Sequence, residues 1–148
     1  MQNISERLAD LIPKIMGAFH DLGQQHPKGI LTMRQYQALI VLHANQRLTL
    51  MQFCDKLSLA PSTGTELVDR LIDLGFFQKE EEAHDRRQVV LSVTSKGIEL
   101  LRQRRRALSE MFERYLEPFS ENDRQKFYES FAAVWRLIEH YRTMPHGK

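Results

Sequence analysis

Apolar residues follow two rhythms along this chain, and the change between them locates its parts. Ile4, Leu8, Leu11, Ile12, Ile15, Phe19 and Leu22 recur every three or four positions, which predicts an amphipathic helix over residues 4 to 23 that tolerates Pro13. After the turn-forming QQHPKG, Thr32 is placed to cap a second helix over residues 32–44, with Met33, Tyr36, Leu39, Ile40 and His43 as its stripe. Residues 50–57 predict a short third helix and residues 58–60 a tight turn. Pro61 suits the first position of a fourth helix, which runs to Leu74 and closes at Gly75.

The period then shortens. Residues 76–81 and 88–93 are short and β-prone, and the polar segment 83–87 between them predicts a two-stranded hairpin. Thr94, followed by Ser95, Lys96 and Gly97, opens a long helix carrying Ile98, Leu101, Leu108, Met111, Phe112, Tyr115 and Leu116, which ends at Pro118. Ser120, three residues before Asp123, caps a last helix with Phe127, Phe131, Val134, Trp135, Ile138 and Tyr141. A helix, a three-residue turn and a helix followed at once by a β-ribbon is the order of a winged helix-turn-helix. The expected fold class is therefore mainly α, with a two-stranded β wing.

Composition narrows the setting. A chain of 148 residues, 42% of them hydrophobic, suits one domain with a sizeable core. With 21 Lys and Arg against 19 Asp and Glu, the net charge is only +2, so any nucleic-acid surface has to be local. The lone Cys54 can form no internal disulfide, which agrees with a reducing compartment. No apolar run approaches the roughly 18 residues of a membrane span, and the start QNISERLADL lacks a signal-peptide core. A cytoplasmic protein with no membrane partner is expected. A Gly-rich phosphate loop and a nucleophile elbow are both missing, and the cysteine has no evident base, so an enzyme is not expected.

The stretch from Leu48 to Gly97, LTLMQFCDKLSLAPSTGTELVDRLIDLGFFQKEEEAHDRRQVVLSVTSKG, resembles the MarR (multiple antibiotic resistance regulator) family, and the likeness extends over nearly the whole chain. Asp85-Arg86-Arg87 with the spacing Val90, Val93, Thr94, Gly97 carries it, together with Pro61-Ser62-Thr63 and Leu67-Val68-Asp69-Arg70-Leu71. The resemblance implies a homodimeric repressor bound to an inverted-repeat operator. It also implies a DNA-binding lobe of about residues 32–97, with dimerisation through helices at about 4–24 and 98–142. Each recognition helix would enter a major groove and each wing tip a neighbouring minor groove.

The chemistry of the charged wing can be argued separately. A narrow minor groove concentrates negative potential, so a guanidinium on a thin β-ribbon gains energy there without reading base identity. Asp85 is spaced to hold an arginine by a charge-assisted bond, the family pattern assigns Arg87 to the groove, and Arg86 falls closer to phosphate. The bland alternative is a solvated turn. On the recognition helix, Ser62, Thr63 and Thr65 occupy the first turns where hydroxyls meet phosphates and base edges, and Arg70 follows two turns later. Ordinary capping, with Thr63 and Glu66 as a capping pair, is the competing account.

Two positions depart from the family pattern. Gly64 replaces a packing residue and costs a helix roughly 1 kcal/mol against Ala, which predicts a loose helix start. Glu66 repels phosphate but can accept from a cytosine amino group. The run Arg102, Arg104, Arg105, Arg106 reads as a solvated face or dimer rim, and Cys54 as a small core residue; no cysteine stands at the start of the first helix, where some relatives sense peroxide. The histidines show no metal-ligand spacing, so neither a metal nor a cofactor is expected. His20, Arg34, Tyr36 and His43 are the candidate lining of a cleft for a small phenolic or carboxylate effector, which the resemblance implies. The rival to a DNA-binding regulator is a winged-helix module that binds protein.

Overall fold

Short polar side chains set where the helices begin. In a computed structural model, which describes residues 1, 3–24, 31–81 and 88–145, α1 spans Ile4–Gln24 and α2 Met33–Asn45. A short β1, Leu48–Thr49, leads into α3, Leu50–Leu57, and α4, Pro61–Asp73. The hairpin is β2, Phe77–Glu81, with β3, Val89–Val93; α5, Ser95–Leu116, and α6, Glu121–Thr143, complete the chain. Thr32 accepts from the N–H of Gln35 at 3.2 Å while the Gln35 side chain accepts from the N–H of Thr32 at 3.1 Å, a reciprocal capping box. Thr49 and Gln52 repeat the device on α3, and Asn3 and Glu6 on α1. The Ser120 hydroxyl receives the Asp123 N–H at 3.1 Å and starts α6.

The chain divides into two compact units, residues 1–106 and 107–148, with the boundary inside α5. The first holds the core. Leu39 and Leu42 of α2, Phe53 of α3, Val68 and Leu71 of α4, and Phe77 and Leu91 of the sheet are almost fully buried. Phe53 meets Phe77 edge to face at 5.7 Å, so the α3 side of the helix-turn-helix packs directly on the wing. The sheet has three strands in the order β1-β3-β2, all antiparallel, not the two expected from sequence. The extra strand pairs Leu48 with Leu91 and Thr49 with Val90; two residues are too short to show a period of two.

At the end of α4 the N–H of Phe76 reaches the carbonyl of Leu71 and that of Gly75 reaches Ile72, a Schellman stop that needs Gly75 at φ +80°. A web of bonds then ties this end to the start of α5. The Thr94 hydroxyl donates to the Gly75 carbonyl at 2.6 Å and accepts from the N–H of Gly97 at 3.1 Å. The N–H of Thr94 donates to the Phe76 carbonyl at 2.9 Å, and Lys96 Nζ to the Leu74 carbonyl at 3.0 Å.

In the second unit Phe112, Tyr115, Phe119, Phe127 and Phe131 form a chain of ring contacts between 5.0 and 6.4 Å. Arg124 stops α5 from the far side of the turn: its guanidinium donates to the carbonyls of Leu116, Glu117 and Phe119 at 2.9–3.1 Å. Much apolar surface is left uncovered. Leu8, Leu11 and Ile12 of α1 are each close to half exposed, as are Val134, Trp135 and Ile138 of α6, and α6 has no fully buried residue. No helix among the described residues is long and apolar enough to cross a membrane.

Candidate nucleic-acid interface

The turn between α3 and α4 is what presents the second helix. Ser58 takes the left-handed conformation at φ 54°, its N–H bonded to Asp55, and the N–H of Leu59 returns to the Cys54 carbonyl at 2.9 Å. Ala60 then serves as N-cap without a side-chain cap, and Pro61 occupies the first helical position as expected. Capping by Thr63 and Glu66 is therefore not what these residues do. Ala60 makes no side-chain hydrogen bond to the first turn of α4, and Pro61, Ser62 and Thr63 of that turn are exposed at the positive end of the helix dipole.

Burial sorts the rest of the helix. Gly64, Val68 and Leu71 face the core, whereas Ser62, Thr63, Thr65, Glu66, Asp69 and Arg70 are exposed. The hydroxyls of Ser62 and Thr63 stand on the first turn beside amides that Ala60 does not cap. That of Thr65 donates to the Pro61 carbonyl at 2.8 Å, so its proton is used inside the helix and only its acceptor capacity is left for a ligand. Glu66 and Arg70, four residues apart, share one outer face.

The wing is fastened to this helix. Lys79 of β2 lies 3.5 Å from Asp69 of α4, and Arg47 lies 3.3 Å from Glu80. Both pairs are about half exposed, so they contribute little energy, but Lys79 and Glu80 are then not the wing's free charges. Gln78 donates to Ser92 across the hairpin at 3.1 Å, and the pairing runs out to Glu81 with Val89. Asp85, Arg86 and Arg87 fall between those two positions, outside the described residues.

Of the proposed effector cleft, Tyr36 is half-buried and carries the Arg104 guanidinium 5.4 Å from its ring centre. Arg34 and His43 are exposed on α2, and His20 is exposed on α1 with Asp21 3.7 Å away. The Arg104 contact was not readable from sequence, because 68 positions separate the partners and the arginine sits in a run of four that points in several directions. Arg102 pairs with Glu99 at 2.8 Å. Cys54 is buried, and burial with the neighbouring Asp55 pushes its thiol up from the ordinary value, which keeps it a neutral core group. Among the described residues no three metal-ligating side chains converge.

A short helix-turn-helix with a half-free second helix, backed by a β-hairpin, defines a winged helix-turn-helix protein. Residues 31–88, which span that motif, match the family model described as the MarR family. An uncharacterized HTH-type transcriptional regulator of Mycobacterium leprae is 27% identical over 140 residues, covering 94% of this chain and 98% of its own length. Among solved structures, a MarR family protein from Bacillus stearothermophilus superposes with a TM-score of 0.74 at 23% identity, covering 94% of this chain and 99% of that one. Streptococcus pneumoniae FabT, solved in complex with DNA, gives 0.68 at 19% identity over 93% and 96% of the two chains. The helix-turn-helix segment is thus similar to the MarR family, and over nearly its whole length the chain is similar to an HTH-type transcriptional regulator.

Proposed function

We propose that this regulator binds an inverted-repeat operator as a homodimer and represses transcription from it. The observation that carries DNA binding is the first turn of α4: exposed Ser62 and Thr63 hydroxyls beside amides that Ala60 does not cap, on a helix whose inner face is fixed to the core. FabT, which shares the fold, is a DNA-bound relative. Dimerisation is supported by the half-exposed apolar rows of α1 and α6, which a second copy would cover. In this reading residues 32–97 are the DNA-binding lobe, and helices at about 4–24 and 98–142 make the dimer. A two-fold protein reads two-fold DNA, with half-sites about 10 base pairs apart. A cytoplasmic location goes with that role.

Arg87 enters the minor groove, Asp85 orients it and Arg86 grips phosphate, on the sequence argument given above. Release by a small phenolic or carboxylate ligand belongs to the same reading; the Tyr36–Arg104 pair supplies the ring and the cation such a ligand would meet. Selection on random duplexes, followed by fluorescence anisotropy at several salt concentrations, tests the whole. Affinity should fall steeply with salt. Arg87→Ala should weaken specific binding by about 1 to 3 kcal/mol, Asp85→Ala by less, and Arg106→Ala hardly at all. Absence of duplex affinity would make the chain a protein-binding winged helix, and wild-type affinity in Arg87→Ala would refute the role of the wing.

A further inference from the structure

We infer that Cys54 and Gly64 form the seat that sets the pose of the recognition helix, so that both are positioning residues for DNA binding although neither faces DNA. The inference rests on the DNA-binding function proposed above. Gly64 is buried in the first full turn of α4, between exposed Thr63 and Thr65. A Cβ built on it would lie 2.2 Å from Cys54 Sγ, 3.6 Å from Cys54 Cβ and 4.0 Å from Leu59 Cβ. The sulfur of α3 therefore occupies the space that any side chain at position 64 would need. The two helices approach as closely as they do because one partner has a single-atom side-chain tip and the other has none.

The helix start is consequently not loose. Its N–H at Gly64 bonds to the Ala60 carbonyl at 2.9 Å, and its inner face rests on a buried thiol. A glycine costs the helix conformational entropy, which the close packing offsets. The thiol acts here as a small apolar group: it is almost fully buried and held protonated. What the seat fixes is the position of the outward residues on either side of it. Ser62, Thr63 and Glu66 are within two residues of Gly64, and hydrogen bonds to base edges fail over a few tenths of an ångström.

The distances make the pair separable by mutation. Gly64→Ala alone sets a methyl where the sulfur lies, so either the buried Cys54 side chain turns into the packed core or α4 lifts, a shift of the kind overpacking causes. Cys54→Ala removes the obstructing atom, leaving the new Cβ at 3.6 and 4.0 Å from its nearest neighbours, which is ordinary contact. Cys54→Ala with Gly64→Ala merely moves one heavy atom across the seat.

The test measures anisotropy on a selected duplex and on an unrelated duplex, at one salt concentration, for wild type, Gly64→Ala and the double variant. Urea unfolding and light scattering accompany each. Gly64→Ala should lose about tenfold or more in the ratio of specific to non-specific affinity, since non-specific binding depends on charge and not on pose. The double variant should return the ratio to within about threefold of wild type. A variant that had only lost stability would lower both affinities together and leave the ratio alone. Should Gly64→Ala not fold, recovery of folding and of the ratio in the double variant still supports the seat. A wild-type ratio in Gly64→Ala, or a double variant that is defective or unfolded, overturns this inference while leaving DNA binding intact. A wild-type chain with no duplex affinity overturns the functional reading first, and this one with it.

Discussion

If the apolar row of α6 meets its counterpart in a second subunit, one charge placed in it should divide the protein into monomers. Ile138 is 42% exposed, so docking removes a little under half its surface from water, a gain of about 1 kcal/mol. In Ile138→Asp that gain is lost and a carboxylate is buried instead, which costs at least about 2 kcal/mol more. Two-fold symmetry repeats the change in the partner, giving about 6 kcal/mol in all, or roughly four decades in the dissociation constant. In the separated subunit the same carboxylate faces water, so the helix itself should persist. Light scattering across the micromolar range should show wild type at twice the chain mass and Ile138→Asp at the chain mass, with unchanged helical circular dichroism. A variant that keeps the dimer mass with native helicity would refute the assignment of this row to the interface.

Gly97→Ala offers the opposite case to Gly64, because its added Cβ would sit 2.6 Å from both the Phe76 carbonyl and Val93 Cγ1. That carbonyl is pinned by the N–H of Thr94, so the variant should lose about 2 kcal/mol in urea unfolding despite a helix-propensity gain of up to about 1 kcal/mol; an unchanged midpoint would contradict the close approach. Ser58→Gly should stabilise the chain by about 0.5 to 1 kcal/mol, since the left-handed turn then carries no Cβ penalty, and a lower midpoint would count against this. Cys54, buried and with its thiol held above the ordinary range, should react with a thiol reagent at pH 8 only after unfolding; labelling of the native protein at the rate of a free thiol would show that the seat opens.

Helix starts were legible where a capping side chain or a first-position proline meets a change of period: Thr32, Thr94 and Ser120 stand one residue before their helices, and Pro61 opens α4. The wing was legible through composition, since residues 89–93 are a short β-prone run with three valines. Strand β1 was not, because its pairing with Leu91 and Val90 is long-range and two residues carry no pattern. The departure at Gly64 was visible in the sequence, but its meaning was not, since nothing local says that Cys54, ten residues earlier, has its sulfur at that point. At Thr65 the residue type suits base contact, and only geometry shows that its hydroxyl proton goes to the Pro61 carbonyl. The wing-tip arginines fall within residues 82–87, outside those described, and are marked only by their charge and spacing.

The web between Thr94, Gly75, Phe76, Leu74 and Lys96 joins the tail of α4 to the head of α5 by backbone and side chain together. A joint of this kind does not hinge, because rotating α5 about it would break several bonds whose partners are already committed. The consequence is mechanical: a tilt entering at the head of the long helix is passed to the reading helix with little slack. With its first turn seated on Cys54 and its tail tied to α5, the reading helix has little freedom to move apart from the head of the long helix.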